Sequence, residues 1–540
     1  MRRVGTAQWV LLALAALTWL SIVALDLDVE ALHSVAAARR ATERMVALAR
    51  GFVAIDLSAE ALARCSFLAA ETLAVAVVGT ALGAAAAVGL ALAASAAVGR
   101  GHASSRIRRA IARALLDTFR AIPDFAWALI LLVPLGPGPV TGALAIAVTV
   151  SGVLGRTYSQ LIDAVPAHEV QSVEHLAGTG LGAAAYGRWP RIAAAGWSYT
   201  LVRLECSIRN ASVIGVVGGG GIGAELFEEL GYGRDDRVAT LLVSLLVLTA
   251  AADLAATWTR QRLAAASGRA RNRRLVLRAV AVAITGSVVW LAPAAADVIA
   301  GLTIDDGGFA ASSLTQLLQP DLSWSTLRDA ASACVTPLAL AWLATVASTA
   351  LALALLPWSS TQLTRRRAGL HRSPGAHWVP LVVTRGAALI ARAVPDVAWL
   401  LLLAAAFRVG HLAAAIALLL HSTGVLVRTF SEAVDDRAVR DRVAGPGGMT
   451  ARLAYRIEPQ IRPTLITHAS LQGESNLRAA FVLGILGAGG LGDAFHTAMT
   501  YWHLPQASTY SITMIVLFVI VDRCARRLSA SSRRRQRQSD

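Results

Sequence analysis

Apolar runs long enough to cross a bilayer, or nearly so, recur along the whole 540-residue chain. They lie at 9–25, 67–98, 113–135, 139–155, 191–217 and 238–258, then at 275–297, 333–357, 379–407, 411–427, 462–488 and 508–522. A spanning helix needs about 20 predominantly apolar residues, because backbone in hydrocarbon must satisfy its N–H and C=O groups within its own segment. The pattern predicts an all-α integral membrane protein of twelve spans in two sets of six. Composition agrees: 16% of residues are charged, against roughly 25% in a soluble domain.

The formal charge of +16 comes from arginine alone, since the chain contains no lysine. That excludes a Walker A phosphate loop, a Schiff-base enzyme and a pyridoxal phosphate site, each of which needs a lysine. Cys65, Cys206, Cys334 and Cys524 form no CxxC pair and join no histidine cluster, so no metal site and no disulfide framework are expected. The arginines are spread over alternate loops: Arg2 and Arg3, Arg100 to Arg109, Arg260 to Arg274, Arg365 to Arg372, and Arg533 to Arg537. The positive-inside rule puts these loops and both termini in the cytoplasm, which accounts for the charge without nucleic-acid binding. The long loop 26–66 balances its arginines with acids and is left outside as an amphipathic helical segment. Span 9–25 is read as a retained helix, because span 275–297 begins the second half in the same way.

The halves repeat each other. Arg120-Ala-Ile-Pro-Asp-Phe-Ala-Trp127 matches Arg392-Ala-Val-Pro-Asp-Val-Ala-Trp399, an offset of 392 − 120 = 272, and the register holds from Gly152–Ser159 to Gly424–Ser431. Farther on, Glu205–Arg209 matches Glu474–Arg478 at 474 − 205 = 269. An even number of spans per copy makes the repeats parallel, with a pathway between them. The expected domains are 1–266 and 275–540, joined by a polar cytoplasmic linker at 267–274.

In each copy a polar cytoplasmic loop joins the fourth and fifth spans. The first carries Glu174 and Gly180, then Tyr186-Gly-Arg-Trp-Pro190; the second carries Asp441 and Gly447, then Tyr455-Arg-Ile-Glu-Pro459. The pattern predicts two short helices around a glycine turn, a rigid knob outside the membrane. It resembles the coupling-loop motif by which membrane subunits of ABC importers dock onto their ATPase. The stretch Ser198–Gly223, with Glu205-x-x-x-Arg209 and its glycine-rich end, and its counterpart Glu474–Gly492 resemble the phosphonate-importer permease family. Both halves carry the resemblance from about the second span to the sixth. Family members usually hold one such unit and dimerise, whereas this chain holds two unequal units.

The resemblance implies a channel subunit for phosphonate or related phosphorus oxyanions, with two copies of a cytoplasmic ATPase and one extracytoplasmic binding protein. No cofactor is expected in this chain; ATP and Mg²⁺ belong to the partner subunits. The working cycle would be alternating access, with nucleotide shifting the balance between outward and inward states. Two other readings stay open. One is the same architecture serving methionine, glycine betaine or another solute; the other is a secondary transporter that needs no ATPase.

Charges inside spans point to mechanism, because burying one in hydrocarbon costs at least about 2.5 kcal/mol. Glu205/Arg209 and Glu474/Arg478 are spaced i, i+4, as intrahelical ion pairs would be. The sharper alternative is that Arg209 and Arg478 face each other across the pseudo-twofold axis and offer bidentate donors to a tetrahedral oxyanion. Asn210 and Asn476 lie beside them and differ between the halves. Arg120 with Asp124, and Arg392 with Asp396, are expected to pair structurally near the start of the third span of each half, where Pro123 and Pro395 kink or start the helix. Gly218-x-Gly220-x-x-Gly223 and Gly487-x-Gly489-x-x-Gly492 fit the dinucleotide fingerprint, which also demands a strand before and a helix after. Following spans as they do, they are read as a close-packed gate or turn at the extracytoplasmic mouth of each half, with a plain flexible loop as the alternative.

Overall fold

The computed structural model describes residues 6–26, positions 39, 42, 43, 46 and 50, and then 55–98, 103–177, 181–232, 234–265, 270–304, 308–361, 378–407, 410–438 and 458–539. Every regular element among them is helical. The first half supplies α1 (Thr6–Ala24), α2 (Ala59–Ala94), α3 (Ala103–Ala121), α4 (Asp124–Leu135), α5 (Pro139–Ala164), α6 (Gln171–Ala177), α7 (Trp189–Ile214), α8 (Gly221–Gly231) and α9 (Asp235–Ala265). The second supplies α10 (Ala270–Ile304), α11 (Gly308–Leu317), α12 (Trp324–Ala333), α13 (Val335–Ser359), α14 (Trp378–Ala393), α15 (Asp396–Phe407), α16 (His411–Ala438), α17 (Glu458–Leu483), α18 (Leu491–Thr500) and α19 (Leu504–Ser539).

Seven of these stretches are long and apolar enough to cross a membrane alone, and counting three bent pairs as single spans makes ten. The expected spans 113–135 and 379–407 are broken, by 97° between α3 and α4 and by 91° between α14 and α15. Proline explains both breaks. Pro123 and Pro395 lack the N–H that would bond the carbonyls of Phe119 and Ala391 four residues back. Each orphaned carbonyl accepts instead from the indole N–H at the end of the same motif, Trp127 Nε1 to Phe119 O at 3.3 Å and Trp399 Nε1 to Ala391 O at 3.0 Å. The glycines of the second shared motif allow the broken helix to cross closely. A Cβ at Gly152 or Gly424 would lie 2.6 Å from the backbone nitrogen of Arg120 or Arg392 respectively.

The chain contacts resolve into two compact units, one of residues 46–319 and one of 1–45 with 320–540. These boundaries differ from 1–266 and 275–540, because the first helix of each half packs with the remainder of the other. Trp342 Nε1 on α13 donates to Thr18 Oγ1 on α1 at 3.3 Å. In the other unit, Trp290 on α10 packs its ring 5.3 Å from that of Phe67 on α2.

The 46–319 unit is built around α2 and α5. Small residues set the closeness of this pair, since lipid removes most of the hydrophobic drive and leaves packing to hold helices together. A Cβ at Gly79 or Gly83 would lie 2.6 or 2.7 Å from the carbonyls of Ala143 and Ala147. Val75, Ala76, Ile146, Val150, Leu154 and Ile214 fill the core around the contact. In the 320–540 portion, Leu426, Val427 and Phe430 of α16 pack with Leu356 of α13 and Ile461 of α17.

Both units carry the same capping device. Asp56-Leu-Ser58 and Asp321-Leu-Ser323 put serine at a helix N-cap, and each aspartate accepts its serine's N–H at 2.9 Å. The Ser58 N–H holds the Asp56 carboxyl below the ordinary aspartate range, and the Thr326 hydroxyl followed by the Ser323 N–H does so for Asp321. With the folded pKa depressed, this support is present above the ordinary aspartate range and is lost as pH falls through the lowered value.

Candidate functional site

At the two helix breaks the expected structural pairs give way to different partners. The 97° break carries Arg120 away from Asp124, and Arg120 meets Asp117 at 3.2 Å instead. Asp124, buried in the first turn of α4, accepts from Asn210 Nδ2 at 2.5 Å and stands 3.6 Å from Arg203 on α7. Asp396 likewise turns to its own helix start, accepting the Val397 N–H at 3.1 Å, rather than to Arg392. A carboxylate in the first turn is favoured there by the helix dipole.

Among the described residues the i, i+4 ion pair is seen on α17. Arg478 Nη2 donates to Glu474 Oε1 across one turn of α17. On α7, Arg209 Nε is buried without a hydrogen-bond partner, while Glu205 lines a mainly apolar cavity with Leu73, Leu248 and Trp290. Asn476 is 1% exposed and belongs to a neutral network: Ser422 Oγ and Gln472 Nε2 donate to its Oδ1 at 2.6 and 3.0 Å, and its Nδ2 donates to Thr345 Oγ1 at 2.9 Å.

The glycine strings prove to be tight turns, each closing a π-type widening at the end of a long helix. Gly218, Gly220, Gly487 and Gly489 have φ of 90°, 75°, 96° and 78°, a region that glycine alone enters freely. Gly223 and Gly492 are needed for closeness: a Cβ would lie 1.7 Å from Ser212 O or 2.0 Å from Phe481 O. The first turn is tied down by Gly138 N–H to Gly218 O at 2.7 Å and by Ile222 N–H to Thr72 Oγ1 at 3.0 Å. The strand that a dinucleotide site demands is not there: a helix precedes each turn.

At the other end of α7 lies the first polar loop. Glu174 falls within α6, Tyr186 is exposed, and Pro190 sits in the first turn of α7. Gly180 lies outside the described residues, as do Asp441, Gly447 and Tyr455; Pro459 lies in the first turn of α17. Arg188 fastens this loop. It is 1% exposed and donates to the carbonyls of Ile162 and Val165 at 3.1 and 2.9 Å. Gly187 lets it approach, for a Cβ there would lie 2.3 Å from Val170 Cγ1.

A symmetric clamp at this end was not marked by the repeat motifs. Asp163 Oδ1 accepts from Ser95 Oγ at 2.6 Å and from the N–H groups of Ala96 and Ala97 at 2.9 and 3.1 Å. Arg113 joins Asp163 at 3.6 Å and donates to Ala94 O at 3.0 Å. In the other half Asp435 accepts from Ser360 Oγ at 2.6 Å and pairs with Arg385 at 3.0 Å, and Arg385 donates to Ser359 O at 2.8 Å. The equivalences obey the repeat offset, since 435 − 163 and 385 − 113 both equal 272. Asp163→Ala should speed amide exchange at Ala96 and Ala97 by at least about tenfold, the opening that loss of about 1.4 kcal/mol permits. Unchanged protection in hydrogen-exchange mass spectrometry would show that the clamp holds nothing.

Two helical units with seven apolar helices of membrane-spanning length among the described residues, ten with the bent pairs, define a multi-pass membrane protein. Over 474 residues the chain is 28% identical to the phosphate-import permease protein PhnE of Mycolicibacterium smegmatis, covering 85% of this chain and 83% of that one. It is 33% identical over 116 residues to a cryptic phosphonate transport system permease, PhnE2, of Escherichia coli, covering 21% of this chain and 95% of that one. With the phosphite transport system permease protein PtxC of Stutzerimonas stutzeri it shares 27% identity over 183 residues, 34% of this chain and 65% of the other. The chain belongs to the phosphonate transport permease family. No protein-family profile and no solved structure matches it.

Proposed function

We propose that this chain is the membrane-spanning permease of an ABC importer for phosphonate-type oxyanions, two permease units fused in one polypeptide with twelve spans and both termini cytoplasmic. The observation that carries the reading is the match to a phosphate-import permease across 85% of this chain and 83% of the relative, which leaves room for neither half to be an unrelated appendage. The buried arginines support it, because a guanidinium fork suits a tetrahedral oxyanion.

In this reading two cytoplasmic ATPase subunits bind ATP with Mg²⁺, and an extracytoplasmic binding protein delivers the anion. The loops 165–190 and 439–459 receive the ATPases. Nucleotide binding at those subunits favours one state of the permease and hydrolysis returns it, so the two states must differ in affinity for the engaged ATPase. The glycine turns lie at the far end of the long helices from these loops, where the binding protein docks.

The test is reconstitution of the chain with its ATPase and binding protein in liposomes. Uptake and ATP hydrolysis are measured with phosphate, phosphite, methylphosphonate, methionine and glycine betaine. Uptake of one or more phosphorus oxyanions, with hydrolysis stimulated by the loaded binding protein, is expected. Uptake of methionine or betaine alone would reject the substrate class, and uptake without the ATPase would reject the importer.

A further inference from the structure

Charge on the equivalent helices is unevenly divided between the halves. In the 46–319 unit, Arg156 on α5 and Arg203 and Arg209 on α7 each bury an Nε that has no hydrogen-bond partner. Arg156 stands two residues before Tyr158, whose hydroxyl meets that of Thr200 at 2.5 Å, three residues before Arg203. The two arginines are thus at one level of the α5–α7 pair. Arg203 keeps 18% of its side chain exposed, and its nearest acid is Asp124 at 3.6 Å. The other oxygen of that carboxylate, Oδ2, accepts the Asn210 amide. The one acid on α7, Glu205, lines the apolar cavity toward α9 and α10.

The repeat-equivalent positions in the other half are Arg428, Gln472 and Arg478, by offsets of 428 − 156 = 272 and 472 − 203 = 269. Each cation there has an acid one turn away: Arg428 pairs with Glu432 at 2.8 Å and Arg478 with Glu474. Gln472 stands where Arg203 stands and is absorbed into the neutral network with Ser422 and Asn476. At these positions the second half therefore has its cations paired with acids and its amide bonded. The first holds three buried guanidinium Nε–H groups with nothing to accept them, a costly arrangement unless an acceptor visits.

We propose that the oxyanion contact of the pathway resides in the 46–319 half, with Arg203 as its specificity-determining donor and Arg209 and Arg156 beside it, and that the second half presents a neutral structural face. This rests on the importer reading and sharpens it, because the contact is one-sided rather than shared across the repeat. The fused chain makes such division possible, since a homodimer must carry the same residue on both sides.

The reconstituted transporter tests this with four variants, each compared at equal amounts of assembled, monodisperse protein. R203Q installs the residue of the second half and should lower oxyanion uptake by at least about tenfold, the weight of hydrogen bonds to a charged group. R203K, which keeps the charge but not the fork, should retain part of the uptake. The double variant E474Q/R478Q removes the satisfied pair together and should stay within about twofold of the parent. R203Q/D124N distinguishes contact from mere neutralisation of Asp124: contact predicts that uptake stays low, and neutralisation predicts recovery. Parental uptake by R203Q, recovery in R203Q/D124N, or an equal loss in E474Q/R478Q would overturn the proposal. A parent that imports a different anion, lost in R203Q, upholds the contact and rejects only the phosphorus substrate. A parent importing solely betaine rejects both.

Discussion

Gly492→Ala is expected to prevent assembly of the transporter. The added methyl would sit 2.0 Å from Phe481 O and 2.8 Å from Ile485 N, both backbone atoms of the helix that the glycine turn folds against. Neither can rotate away, so α18 must lift off α17. Overpacking of this kind costs about 1–3 kcal/mol and occasionally more, and rigid neighbours put this site at the upper end. Gly223→Ala, with Ser212 O at 1.7 Å, should fail in the same way. The control is Gly386→Ala in α14, where a methyl meets open space and helix propensity should stabilise by about 0.5–1 kcal/mol. Detergent-solubilised yield, gel-filtration profile and thermal midpoint decide it. A monodisperse Gly492→Ala protein with the parental midpoint would show that the turn has slack.

Arg188→Met should separate hydrolysis from transport. The guanidinium closes loop 165–190 by donating to two carbonyls at the end of α5, and methionine fills the space while leaving both carbonyls without their donor. A hydrogen bond from a charged group contributes about 1.5–3 kcal/mol, enough to loosen the loop without unfolding a unit. Under the proposed function, hydrolysis stimulated by the loaded binding protein should fall about tenfold, while the basal rate and the assembled yield hold. Retained stimulation would mean that the loop transmits nothing through Arg188. The second half has Ile457 at the equivalent position, so the effect should come from one loop.

Much of the architecture was legible in the residues themselves. Apolar length marks spans, and proline and glycine mark where helices must break, because both act locally. Hence Pro123 and Pro395 as break points, the helical start at Asp124 and the turns at Gly218 and Gly487 were readable in advance. The partners were not. An i, i+4 spacing suggested Arg120 with Asp124, but a right-angle break between them cancels the helical neighbourhood on which that spacing rests. Asp163 and Asp435 act on residues 67 and 74 positions away, and no periodicity spans such a gap. Arg203 is set apart by what its repeat partner lacks. Repeat comparison rewards likeness, and here the informative position is a difference. Four of the eight loop residues singled out for ATPase docking, Gly180, Asp441, Gly447 and Tyr455, lie outside the described residues.

The exchange of first helices has a consequence for biosynthesis. Thr18 and its partner Trp342 are 324 residues apart in the chain. Translation adds about 5–20 residues per second, so α1 waits roughly 15–65 s for its partner to be made. During that wait it must be stable in lipid by itself or be shielded by the insertion machinery. Severing the gene near codon 267 would leave two fragments that each lack a helix their own unit requires, and only co-synthesis could return it.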